Sequence, residues 1–195
     1  MSGERIIAID PGPRQSGYCV FDPAAFQVIT CRNMDNIELF EIMTRSSNWS
    51  RDGDTLVIEK VAHYGMRVGK EVFDTCTWAG IYAAKFGVLH TFQIPFATVS
   101  MTICHRRGAK EADVWRVVRD MFPKSGGGLS PEIGTKSKPG PLYKTRAQEH
   151  GRSALAVAIT HGILMRENAE QHLRDYSMYA TMFDGVIDEP AMEPT

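Results

Sequence analysis

Short apolar runs that end in turn residues alternate with longer stretches of helical periodicity along this chain. Ile6-Ile7-Ala8-Ile9 is β-branched and closes on Asp10-Pro11-Gly12, which predicts a buried strand and a sharp turn back at Gly12 and Gly17. Tyr18–Phe21 and Gln27–Cys31 read as a second and a third strand. Asp22-Pro23 begins the connection between them, so the three make an antiparallel meander. Asn36 is a candidate cap for a helix whose apolar face runs through Ile37, Phe40, Ile42 and Met43. Thr55–Glu59 is the second apolar strand to end in a carboxylate.

Lys60 to Gly69 reads as a loop, and a helix follows over 70–86. Val72, Phe73, Cys76, Ala79, Gly80 and Ala83 are expected inward, and the small residues at 79, 80, 83 and 84 suit close approach to a sheet. Leu89 to Val99 is apolar, broken at Pro95, and holds the expected fifth strand. An amphipathic helix is expected over 109–121 and a long loop over 122–142. A further helix runs from Thr145 to about Arg166, and a short helical stretch near Tyr176–Met182 follows in the tail. No internal repeat is visible.

The 195 residues suffice for one α/β domain with a full core, here 1–166, followed by an acidic tail, 167–195, partly helical or irregular. No apolar run reaches the roughly 20 residues of a membrane span. The N-terminus has no signal-peptide pattern. Cys19, Cys31, Cys76 and Cys104 are widely spaced, which speaks against a zinc knuckle or a disulfide framework and for a reducing, cytoplasmic setting. The net charge of -1 is unevenly spread. Met101 to Arg152 holds 11 Lys/Arg against 5 Asp/Glu, whereas from Glu167 onward 7 acids face Arg174 alone. A basic middle suits a polyanionic partner such as nucleic acid.

The element order, three strands, helix, strand, helix, strand and further helices, is that of an RNase H-like fold, with a five-stranded mixed sheet flanked by helices. In that layout the ends of the first and fourth strands lie side by side, which brings Asp10 to Glu59. Two such carboxylates repel unless a cation joins them, and hard oxygen ligands favour Mg²⁺, with Mn²⁺ able to substitute. Paired ions of this kind clamp the attacking and leaving oxygens in phosphodiester hydrolysis.

Three blocks carry a family resemblance: Ile7-Ala-Ile-Asp-Pro-Gly-x₄-Gly17, Val57-Ile-Glu59 and Ser153-Ala-Leu-Ala-Val-Ala-Ile-Thr-His161. In this order and at these separations they resemble the signature blocks of RuvC-type Holliday junction resolvases, over roughly residues 4–166. The stretch from Tyr64 to Phe73 resembles a phage or prophage branch. The resemblance implies a metal-dependent endonuclease that resolves branched DNA such as four-way junctions as a homodimer, with no membrane partner. It implies that Asp10, Glu59 and His150 hold metal and that Lys110, in the helix after the fifth strand, offsets charge on the scissile phosphate. Ser153 falls where the family places an aspartate. Either three ligands suffice, or Glu149 helps from a neighbouring face of the helix, or the chain binds branched DNA without cutting, in that order of preference.

Arg106 and Arg107 are expected to contact phosphates, with Lys70 beside the DNA. Tyr64 and Phe73 fall where the family presents aromatic side chains to open bases, although Phe73 equally suits a buried helix position. His63 follows Glu59 closely enough to touch DNA. His90, His105, His161 and His172 are expected to be structural or exposed. An actin-like ATPase, which shares the DxGxxxxG pattern, needs two such domains and so a longer chain.

Overall fold

The structure, a computed structural model, describes residues 4–46, 49–50, 52–62, 68–122, 137–140, 142 and 149–167. Strands β1 (Ile6–Asp10), β2 (Gln15–Asp22), β3 (Gln27–Asp35), β4 (Thr55–Lys60) and β5 (Thr91–Pro95) form one mixed sheet in the order β3-β2-β1-β4-β5. β1 pairs antiparallel with β2 and parallel with β4, and β5 extends the parallel half. Helices α1 (Asn36–Arg45) and α2 (Lys70–Phe86) pack on one face. Helices α3 (Phe96–Cys104), α4 (Glu111–Met121) and α5 (Glu149–Glu167) cover the other. This five-stranded α/β sandwich is the expected RNase H-like fold.

Strand alternation divides the two cores. Ile7 and Ile9 of β1 join Leu56 and Ile58 of β4 beneath α1 and α2, while Ile6, Ala8 and Val57 turn toward α5. Each fully buried aliphatic side chain stabilises the fold by about 1.5–3 kcal/mol. The same two-residue period sends the next residue of each strand, Asp10 and Glu59, to the α5 face. Since Ile9 lies opposite Ile58, both carboxylates emerge at adjoining strand ends.

Helix α5 reaches this point because β2 carries Gly17 opposite Asp10. A Cβ on Gly17 would stand 1.9 Å from the His150 carbonyl oxygen, so the first turn of α5 rests directly on the strand backbone. Asn33 Oδ1 accepts from the Gly151 N–H at 2.6 Å, and Cys31 Sγ donates to the Gly151 carbonyl at 3.0 Å, fixing the helix start against β3. Residues 154–162 of α5 are then buried without a break.

Several details differ from the sequence expectation. Asp35 rather than Asn36 caps α1, accepting from the backbone N–H of Ile37 at 2.9 Å. Asn36 is buried instead and donates to the Gly12 carbonyl at 2.9 Å. Buried α1 positions are Asn36, Leu39 and Met43, whereas Ile37 is exposed. Within the 89–99 stretch expected to hold the fifth strand, β5 covers only Thr91–Pro95; Pro95 ends it instead of interrupting it, and helix α3 begins at Phe96. On α2 only Ala79, Tyr82 and Ala83 are buried; Val72, Phe73, Cys76 and Gly80 face outward, because the helix presents a narrower stripe to the sheet than its apolar content suggests. Helix α4 begins at Glu111, two residues later than expected. Most of the 122–142 loop, residues 145–148 and the tail beyond 167 lie outside the described residues.

The glycines supply a direct test. Gly17→Ala is expected to destabilise the protein by about 2–3 kcal/mol, since the added methyl collides with the α5 backbone at His150 and Gly151. Gly80→Ala, in α2 with open space around its Cα, is expected to stabilise it by about 0.5–1 kcal/mol. Urea unfolding of both variants checks the contrast.

Candidate active site

The β1–β2 turn is held by a buried polar network. Ser16 Oγ donates to Asn36 Oδ1 at 2.7 Å and lies 3.2 Å from Tyr82 Oη, and the Gly12 N–H donates to Ser16 Oγ at 3.4 Å. These contacts tie α1, α2 and the turn into one rigid support behind Asp10. None was anticipated, because each joins polar residues distant in sequence whose pairing depends on the packed helices.

At the strand ends, Asp10 Oδ2 accepts from His150 Nδ1 at 2.7 Å. The Asp10 side chain is 13% exposed and that of His150 40%, so the pair opens to solvent on the imidazole side. Burial pushes the Asp10 carboxyl up, against the opposing pull of His150 and of the Ser153 hydroxyl. The hydrogen bond to Asp10 in turn raises His150 despite its partial burial, with Glu111 and Glu149 adding to the effect. The imidazole and carboxylate therefore share a firmly held proton.

Glu59 is the more strained group. Burial raises its carboxyl to about 8, and the negative charges of Asp10 and Glu111 reinforce the shift. Its Oε2 is buried without a hydrogen-bond partner among the described residues. A buried, unpaired carboxylate oxygen costs about 1–3 kcal/mol or more, so this position asks for a proton or a cation. Among the described residues no three His, Cys, Asp or Glu side chains are already gathered as a metal cluster. Nonetheless, two crowded carboxylates with a bare inward oxygen, and an imidazole that can leave Asp10, fit a hard divalent cation.

Next to Glu59 lies a cavity of about 170 Å³. Glu111, Glu149, Arg152 and Ser153 share its lining with Glu59, and Phe96 and Trp115 are among its apolar walls. The Arg152 guanidinium stacks over Trp115, 5.1 Å from the ring centroid. Glu149 and Ser153 thus border this cavity, whereas His150 lies against Asp10 and lines a separate surface hollow. Glu111 was missed; its signal was its place beside Lys110, at the start of an amphipathic helix.

The remaining candidates are more dispersed. Lys110 is exposed, one residue before α4, and its backbone N–H donates to Asp113 Oδ2 at 3.2 Å; it is not part of the cavity lining. Arg106 and Arg107 are exposed in the turn between α3 and α4, with Arg106 paired to Asp113 at 3.0 Å. Lys70 opens α2 and lines a surface hollow that also includes Arg14 and His150. Phe73 is 63% exposed on α2, so its buried alternative is excluded. Tyr64 and His63 lie outside the described residues, as does His172. His161 is buried beside Phe92, with ring centroids 5.0 Å apart, and burial lowers it to about 4, which marks a neutral structural histidine. His90 and His105 are exposed.

The class of fold is matched by solved structures. Thermus thermophilus RuvC in complex with Holliday junction substrate superposes with a TM-score of 0.56 at 16% identity, covering 85% of this chain and 96% of the RuvC chain. A second structure of Thermus thermophilus RuvC gives a TM-score of 0.55 at 17% identity, over 83% and 95% of the two chains. The chain therefore has a RuvC-like fold across nearly the whole of the RuvC length. No family model and no curated protein matches the sequence. Among the described residues, no helix is long and apolar enough to cross a membrane.

The site's protonation sets a pH dependence. The Glu59 carboxyl titrates near 8 when folded but near 4.5 as its ordinary value, so between these limits the folded chain holds a proton that the unfolded chain has lost. Stability must fall as pH rises through this window, and the raised His150 acts in the same direction. The cation-free protein should lose about 2 kcal/mol between pH 6 and 8, and Glu59→Gln should remove most of that loss. Denaturant unfolding in EDTA at both pH values measures it.

Proposed function

We propose that this protein is a divalent-cation-dependent endonuclease that resolves branched DNA such as Holliday junctions by phosphodiester hydrolysis. The observation that carries the reading is the pairing of Asp10 and Glu59 at adjoining strand ends, with Glu59 Oε2 buried and unpaired beneath the first turn of α5. The RuvC-like fold supports it.

Asp10, Glu59 and His150 would hold Mg²⁺, or Mn²⁺ in its place. When bound, the cations supply positive charge that activates the attacking water and stabilises the leaving oxygen. To hold a cation, Asp10 would have to release its hydrogen bond to His150 and Glu59 its proton, which would leave the His150 imidazole available as a third ligand. The buried network around Gly12 holds the turn that follows Asp10. Lys110, exposed beside the cavity in sequence, is suited to offset phosphate charge, and Arg106, Arg107 and Lys70 to position the backbone. Phe73, projecting from α2, offers an aromatic surface to unpaired bases. Paired cuts across a four-way junction require two such sites, hence a homodimer.

Ser153 favours a second reading, a branched-DNA-binding protein without nuclease activity. Incubation of a labelled four-way junction with Mg²⁺ or Mn²⁺ separates the two. The expected result is paired symmetric nicks that fall at least 100-fold with Asp10→Asn, while linear duplex is spared. Tight binding without scission in either metal would favour the binder.

Binding itself gives another prediction. Arg107→Ala and Lys70→Ala should each weaken junction binding several-fold and lower the dependence of log affinity on log salt by about 1. Gel-shift titrations at several salt concentrations measure both.

A further inference from the structure

We propose that Glu111 supplies the metal-binding carboxylate that Ser153 cannot, so that the site is completed from α4 rather than from α5. The inference rests on the nuclease reading above and concerns which of this chain's residues complete its cation site. Ser153 offers only a neutral hydroxyl, a weak ligand for a hard divalent ion beside a carboxylate. Its side chain stays engaged with Asp10.

Glu111 stands across the same cavity. It is the first residue of α4 and lines the space of about 170 Å³ together with Glu59 and Ser153. Its charge is felt by both Glu59 and His150, whereas that of Glu149 is felt by His150 alone. Glu111 thus borders the same cavity as Glu59 and is near enough to Glu59 and His150 for its charge to act on both.

An acidic residue in the first turn of a helix has an ordinary explanation in the helix dipole. Here Asp113 already fills that role. It accepts from the Lys110 N–H and binds Arg106 and Arg116, each at 3.0 Å. Glu111 enters no hydrogen bond or ion pair among the described residues, although two arginines lie near its helix turn. Glu111 is exposed while it lines the cavity, as a ligand must be in a site that DNA enters. Near it, Glu59 Oε2 is buried and unpaired, so a cation held between α4 and the strand ends would satisfy a group the protein leaves bare.

The test is Mn²⁺ binding to the DNA-free protein by isothermal titration calorimetry, followed by junction cleavage. Glu111→Gln is expected to weaken Mn²⁺ binding by about tenfold or more and to reduce cleavage to a similar or greater degree. Junction affinity in EDTA should not fall. Adding Ser153→Asp to Glu111→Gln is expected to restore Mn²⁺ binding, because a carboxylate then enters the same space from α5. Circular dichroism confirms folding of each variant. If Glu111→Gln binds Mn²⁺ within twofold of the parent while Asp10→Asn does not bind, Glu111 is no ligand and the nuclease reading stands. If Asp10→Asn also binds normally, both the Glu111 assignment and the cation site itself are overturned.

Discussion

The close contact between the first turn of α5 and the backbone of β2 governs the site. The His150 carbonyl occupies the volume where any side chain at position 17 would begin. Because Gly17 faces Asp10 across the β1–β2 ladder, this contact sets the imidazole beside the carboxylate. Hydrogen bonds from Asn33 and Cys31 to Gly151 fix the helix along the sheet, and the buried run 154–162 fixes its rotation. Position, register and facing of His150 and Ser153 follow from one missing Cβ and two anchors.

A second consequence is dehydration. Helix α5 covers the strand ends closely enough to leave Asp10 and Glu59 little water, and a carboxylate without water prefers to be neutral. The fold thereby sets up a site in which charge is costly until something positive arrives. In the cation-free protein a proton on Glu59 and a proton shared by His150 and Asp10 meet that need. A divalent ion held there, as proposed, would compete for the same oxygens, and its affinity would rise with pH over the range in which those protons leave.

Much of this was legible in the sequence, and the reasons are specific. Asp10 and Glu59 each follow a short β-branched run, and period-two alternation dictates which face they take once the strands are parallel neighbours. His150 and Ser153 lie three apart on a strongly apolar helix, so they share a side. By contrast, Phe96–Cys104 contains Thr98, Val99, Thr102 and Ile103, β-branched residues that favour extended chain locally. Packing against α4 and α5 makes it helical instead. Asp35 and Asn36 are both good caps, and the choice between them is made by Gly12, more than twenty residues away. α2 was misread in another way: its apolar residues outnumber the places the sheet offers, and Phe73 is left outside.

Glu111 illustrates the limit of reading one element at a time. On its own helix it is an unremarkable first-turn acid, and no spacing in the chain relates it to residue 59 or 153. Its meaning comes from the way α4 packs against α3 and α5, which turns the start of the helix toward the strand ends. A site assembled from several elements constrains the position of charge more tightly than the element that delivers it. An aspartate at position 153 and a glutamate at position 111 would both border the same cavity, one from α5 and the other from α4. On the proposed reading, a serine at position 153 is compatible with a working site wherever Glu111 can reach, and Ser153 bears on the origin of the ligand before it bears on the chemistry.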